Sequence, residues 1–138
     1  MRVGVVALAL TAMASQSHAQ DYDTFRTCVI GPSGEACSDI VLGCAYDYDW
    51  TDTGSAEGLA CFTEERAISD TYFARSFAEL DAEGRAEIAA VMAEREQSCN
   101  AFYATVPAAD RAVAEVLCQA SNARRLAILA TGLTDEDE

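Results

Sequence analysis

Apolar side chains recur with the period of a helix along most of the chain after residue 54. A first long helix is predicted from about Ser55 to Leu80, with Phe73 and Phe77 on one face. A second is predicted from about Ala82 to Thr105, because Asp81 can cap its first turn. The pattern therefore predicts two consecutive long helices joined at a short break.

A third long helix follows a break at Pro107. It is predicted from about Ala108 to Ala130, since proline suits the first turn of a helix and Gly132 can end it. A shorter N-terminal helix is predicted from about Ser38 to Ala45. The sequence thus predicts an all-α fold, a small bundle of about three long helices plus a short N-terminal helix.

The second long helix carries an arginine within its apolar stripe, four residues before a cysteine. The stripe steps at alternating intervals of four and three through Ile88, Met92, Arg95, Cys99, Phe102 and Val106. A lone buried charge is far more costly than a paired one, so Arg95 needs either a partner or a route to solvent.

The first residues have the pattern of a secretory signal peptide. A charged Arg2 precedes an uncharged run, and the small-residue motif of residues 17–19 follows it. We expect cleavage after Ala19, which leaves one domain over residues 20–138 with an acidic tail at 133–138. No lipid anchor is expected, because no cysteine stands directly at the cleavage point.

The net charge and the residue composition indicate the compartment of the protein and the kind of partner it could bind. The net charge is -14 and the chain contains no lysine. Such a negative field repels nucleic acid and anionic membranes and favours a cationic partner, although acidity also serves solubility alone. Together with the signal peptide, this composition predicts a bacterial periplasmic or secreted protein.

Six cysteines, an even number in an oxidising compartment, predict three disulfides. If the last two long helices form an antiparallel hairpin around Pro107, Cys99 and Cys118 lie within about one helical turn of each other. The same local reasoning pairs Cys44 with Cys61 and Cys28 with Cys37. No metal site is expected, because no C-x-x-C occurs and the single histidine leaves with the signal peptide.

The cysteine-bearing half of the chain resembles the N-terminal domain of the LprI-type lysozyme inhibitors, a family of small, exported, cysteine-bridged helical domains. Its pattern of an arginine four before a cysteine, then a second cysteine, an arginine and a leucine is matched in order over residues 95–129. The resemblance covers about residues 44–130. Arg124 and Arg125 both fit the second arginine position, and Met92 stands where the family usually has tryptophan. The resemblance implies inhibition of a lysozyme-type enzyme.

A family aspartate corresponds to Asp70, which shares a helix face with Phe73 and Phe77. This spacing predicts a buried ion pair between Asp70 and Arg95, joined by Arg124 or Arg125, that ties the three long helices together. Two alternatives stay open. The aliphatic part of Arg95 could pack against the protein while its guanidinium group extends into solvent, or Arg95 could bind a ligand.

A segment of alternating aromatic and acidic residues is the predicted contact region for a cationic partner. It consists of Tyr46, Asp47, Tyr48, Asp49, Trp50 and Asp52. The segment lacks the glycine and glutamate positions of an EF-hand calcium loop, so no calcium is expected. A solvated strand or loop without a partner is the alternative interpretation.

No catalytic residues and no cofactor are predicted. The mature chain would have no histidine, it has no G-x-S-x-G motif, and every thiol is expected to be oxidised. Two functions remain. One is a binding protein that inhibits a cationic cell-wall hydrolase such as lysozyme, and the other is an envelope structural or stress-related protein with no single target.

Overall fold

The breaks between the long helices lie where the sequence places a capping aspartate and a proline. A computed structural model describes residues 22–31, 44 and 56–135. The stretches 22–31 and 56–135 contain four α-helices and no strand. They are α1 at 22–30, α2 at Ala56–Glu79, α3 at Ala82–Thr105 and α4 at Arg111–Leu133. The predicted all-α fold is confirmed.

Each helix boundary has a local cause. The carboxylate of Asp81 accepts a hydrogen bond from the backbone N–H of Gly84 at 2.8 Å, which caps α3 as predicted. After Pro107 a turn of 3-10 helix, Ala108–Asp110, precedes α4. The prediction that Gly132 ends this helix was wrong. The helix continues through it to Leu133, because Gly132 has no left-handed backbone angle and its carbonyl still accepts from the N–H of Asp135.

Helix α1 was not predicted. Its aromatic residues Tyr22 and Phe25 are buried, and both rings pack against Tyr72 of α2. The hydroxyl of Tyr22 lies 3.0 Å from that of Ser76, which in turn lies 2.7 Å from the hydroxyl of Thr131 on α4. We call the row of buried hydroxyls of Tyr22, Ser76 and Thr131 the hydroxyl ladder, and it joins three helices. The predicted helix at Ser38–Ala45 lies outside the described residues except for Cys44, which is helical and buried.

Helices α2 and α4 form the main packed pair and run in the same direction, since residues 62 and 76 of α2 lie against residues 120 and 131 of α4. The buried positions of α2 follow heptad spacing and are Gly58, Phe62, Glu65, Ser69, Tyr72 and Ser76. The facing side of α4 is built largely from alanines. The alanines of α4 and the small residues Ser69 and Ser76 of α2 allow the two helices to approach closely between the larger side chains of α2.

Helix α3 runs antiparallel to α4 and makes at most a few contacts with α2. Its predicted apolar stripe is therefore only partly buried. Ile88, Cys99 and Val106 are buried, whereas Met92 and Phe102 are exposed, which corrects the prediction for those two. Because α3 packs on one neighbour instead of two, only the residues along the centre line of the apolar stripe are buried. Those at its two edges are exposed.

Two of the three predicted disulfides are present between described residues. Cys44 is bonded to Cys61, and Cys99 to Cys118 across the α3–α4 hairpin, with Cα atoms 5.7 and 6.0 Å apart. Cys28 is also disulfide-bonded, and Cys37, its predicted partner, lies outside the described residues. Bridges of this kind stabilise small domains by about 2–4 kcal/mol each. None of the described helices is both long enough and apolar enough to cross a membrane.

Candidate functional site

The predicted ion pair between Asp70 and Arg95 is not formed. The side chain of Asp70 is 57% exposed, and its carboxylate lies 3.6 Å from Arg66 on the same helix. The buried line of α2 passes through Ser69, so Asp70 is turned away from it by about 100°. The prediction was wrong because Phe73 and Phe77, used to define the inner face, lie at its edge and are only partly buried.

The buried carboxylate belongs instead to Glu65, whose side chain is 3% exposed. Its Oε1 atom lies 3.8 Å from an Nη atom of Arg124 on α4, which is 23% exposed and can reach water. Arg125 is exposed, so Arg124 is the arginine that takes part in a structural ion pair. This pair ties α2 to α4 and leaves α3 out.

Burial dominates the electrostatics of Glu65. Desolvation raises the pKa of its carboxyl from 4.5 to about 7, although the positive charge of Arg124 acts to lower it. The second carboxylate oxygen, Oε2, is buried without a hydrogen-bond partner, and so is the hydroxyl of Ser69 one turn away. Because burial favours the neutral form of a carboxyl group, Glu65 titrates close to neutral pH.

Sequence reasoning missed Glu65 because it stands in a run of charged residues, "TEER", that is typical of a solvated helix face. A usable signal was present. Phe62, Glu65 and Tyr72 fall on the same heptad positions, with intervals of three and seven. If the heptad pattern of the apolar residues is extended to polar residues at the same positions, it predicts that Glu65 is buried.

The predicted contact segment, residues 46–52, lies outside the described residues. Its closest described neighbour in the chain is Cys44, which is buried against Phe62 and Ala120. The disulfide to Cys61 therefore attaches the chain immediately before the segment to the α2–α4 pair.

An open groove lies between α2 and α3, with α4 as its floor, because α3 packs on α4 and diverges from α2. Its volume is about 540 Å³. We call it the α3 groove. Apolar side chains of α3 and α4, including Met92, Tyr103 and Leu126, line two of its sides, and Cys99 of the disulfide lies in its wall. On the third side α2 contributes Arg66 and Asp70. The sequence alone did not indicate this groove.

Hydrogen bonds between helices fix the polar wall of the α3 groove. Arg66 of α2 donates to the side-chain carbonyl of Gln119 on α4, and Gln119 donates to the Glu115 carboxylate at 3.0 Å. On the opposite wall the amide of Asn122 donates to the Arg95 carbonyl at 3.4 Å and lies 3.0 Å from the Cys99 sulfur. Burial and the nearby Glu115 carboxylate raise the pKa of Tyr103 above its ordinary value of 10.0.

The charged surface of the described helices is strongly acidic. Every described aspartate and glutamate except Glu65 is exposed. Glu83, Glu87 and Glu94 fall within about 40° of one another on the outer side of α3, and none of them forms an ion pair with a described residue. We call these three residues the acidic α3 stripe. Like charges four residues apart destabilise a helix by a few tenths of a kcal/mol, so the stripe gives the fold no stability.

No protein-family model, curated protein or solved structure matches this chain.

Proposed function

We propose that this protein is an exported binding protein that inhibits a cationic hydrolase of the lysozyme type. The observation that carries the proposal is the acidic α3 stripe, a row of exposed carboxylates with no partner in the described part of the chain. Such a surface attracts a basic protein over a distance and orients it before contact. The lysozyme class of partner comes from the resemblance of residues 44–130 to the LprI-type inhibitors.

Export is supported by three features together. The first nineteen residues have the pattern of a signal peptide, none of the described helices could span a membrane, and the described cysteines are disulfide-bonded. Disulfides persist in oxidising compartments such as the periplasm or the extracellular medium.

The acidic α3 stripe would steer the partner, whereas the segment of residues 46–52 would anchor it. A buried tryptophan usually contributes much more to interface energy than charges at the rim do. Trp50→Ala should therefore weaken inhibition at least about tenfold, chiefly through faster dissociation. If the folded variant inhibits as well as wild type, the contact surface lies elsewhere.

The test is a lysozyme activity assay with the purified, oxidised protein at low and moderate salt. We expect stoichiometric inhibition whose association rate falls as salt screens the charges. Replacing Glu83, Glu87 and Glu94 by glutamine should slow association up to about tenfold and flatten its salt dependence.

A matched control removes the same charge from another surface. The exposed residues Glu57, Glu64 and Glu79 of α2, changed to glutamine, should affect association less than the acidic α3 stripe does. Equal effects would mean that net charge, and not the stripe, attracts the partner. No inhibition by wild type would discard the lysozyme proposal and favour the envelope structural or stress-related role.

A further inference from the structure

The α3 groove contains an arginine that has no partner among the described residues. Arg95 lines the groove and is only partly exposed, yet its guanidinium forms no ion pair or hydrogen bond with any described side chain or carbonyl. The other arginine of the groove, Arg66, is held by Asp70 and Gln119. Arg95 is therefore the cation of the groove whose donors are unused.

This lack of a partner is unexpected in a chain of this composition. The chain has 23 acidic residues against 9 basic ones, so carboxylates are plentiful. The guanidinium nitrogens of Arg95 are not among the buried polar atoms that lack a partner, so its donors reach solvent and can exchange water for an anion. An arginine kept in this condition beside an open groove is suited to an anion that arrives from solvent.

The α3 groove is also locally neutral within a strongly acidic protein. Its charged lining residues are two arginines and two acids, Arg66, Arg95, Asp70 and Glu96, whereas the whole chain carries -14. The Asp70 carboxylate is already paired with Arg66, and Glu96 is exposed to water. An anion within the groove therefore meets less repulsion than it would elsewhere on the described surface.

We infer that the α3 groove binds a small amphipathic carboxylate, with its carboxylate on Arg95 and its apolar body along Met92, Tyr103 and Leu126. A volume of about 540 Å³ is in the range of small-molecule sites. The lining combines apolar side chains with polar and charged ones, so it suits a ligand that has both an apolar body and a charged head. A planar guanidinium can bind a carboxylate through two parallel hydrogen bonds, as it can a phosphate. This site goes beyond the proposed contact with a hydrolase and does not depend on it.

The experiment measures binding of laurate to the purified, oxidised protein by isothermal titration calorimetry, below the concentration at which laurate self-associates. Dodecyltrimethylammonium and dodecyl maltoside have an apolar chain one methylene longer than that of laurate, with a cationic or a neutral head. We expect saturable binding of one laurate per chain, and binding of the two comparison compounds at least about tenfold weaker, because only laurate can pair with Arg95.

Two matched pairs of variants locate the site. Arg95→Met should weaken laurate binding about tenfold or more, whereas Arg125→Met, which removes an equal charge from an exposed position outside the groove, should leave it within about twofold. Ala93→Trp fills the groove, whereas Ala90→Trp adds the same side chain to an exposed position of α3 outside it. Only the first tryptophan should abolish binding. Circular dichroism melting curves establish that each variant is folded.

The inference fails if laurate does not bind, if Arg95→Met and Arg125→Met have equal effects, or if Ala93→Trp leaves binding unchanged. Equal or tighter binding of the cationic compound would also overturn it, since the Asp70 and Glu96 carboxylates would then determine the preference of the groove.

Discussion

Glu65→Gln should remove most of the change in stability of this protein between pH 5 and pH 8. The folded-state pKa of Glu65 is raised from 4.5 to about 7 by burial, so the folded protein holds a proton that the unfolded chain releases. The free energy of unfolding is then highest below pH 4.5 and falls as the pH rises through 7. The shift limits the loss to about 3 kcal/mol, or roughly 10 °C or more in melting temperature.

The measurement is urea unfolding of wild type and variants at several pH values between 5 and 8. Glutamine keeps the shape of Glu65 but cannot ionise, so Glu65→Gln should be flat over this range and more stable than wild type at pH 8. The neighbouring Glu64 is exposed, and Glu64→Gln should follow the wild-type slope while removing the same charge. If wild type and Glu65→Gln lose stability in parallel, then Glu65 is ionised throughout and the Arg124 ion pair outweighs desolvation.

Three further predictions concern the cap, the hydroxyl ladder and the remaining bridge. Asp81→Ala should lower the free energy of unfolding by about 1 kcal/mol in urea titrations, because it leaves the first turn of α3 uncapped. Ser76→Ala should cost about 1–3 kcal/mol by leaving two buried hydroxyls without their shared partner, whereas Ser69→Ala should be neutral or stabilising because that hydroxyl has no partner to lose. Non-reducing peptide mapping should find Cys28 linked to Cys37, since the other four cysteines are bonded to one another.

Features with local causes were predictable from the sequence. Asp81 and Pro107 act on the backbone within a few residues, so the bounds of α3 and the break before α4 followed directly from the chain. The bridge between Cys99 and Cys118 spans a single hairpin of 19 residues, and helix rise alone places its two ends together. Helix α1 could have been predicted from the spacing of Tyr22 and Phe25, but nine residues give a weak periodic signal.

The packing of the helices decided which charges are buried, and the sequence offered only the heptad spacing of Phe62, Glu65 and Tyr72 as a signal. Asp70 and Glu65 are both acidic residues of one amphipathic helix. The rotation of α2 about its axis, as it packs against the alanines of α4, buries Glu65 and exposes Asp70. Glu65 and Asp70 are five residues apart and therefore about 140° apart around the helix axis, so the rotation of α2 decides which of them is buried. It depends on small side chains that meet from two helices far apart in the chain.

The α3 groove has the same kind of origin. The sequence determined that α3 is a helix, that a disulfide links it to α4, and that Arg95 lies in its apolar stripe. The space around Arg95 depends on the absence of a close α2–α3 contact, which is a property of how three helices divide their apolar surfaces. Periodicity gives the direction of each residue from its own helix axis, whereas a groove is defined by the distance between two axes, and only tertiary packing sets that distance.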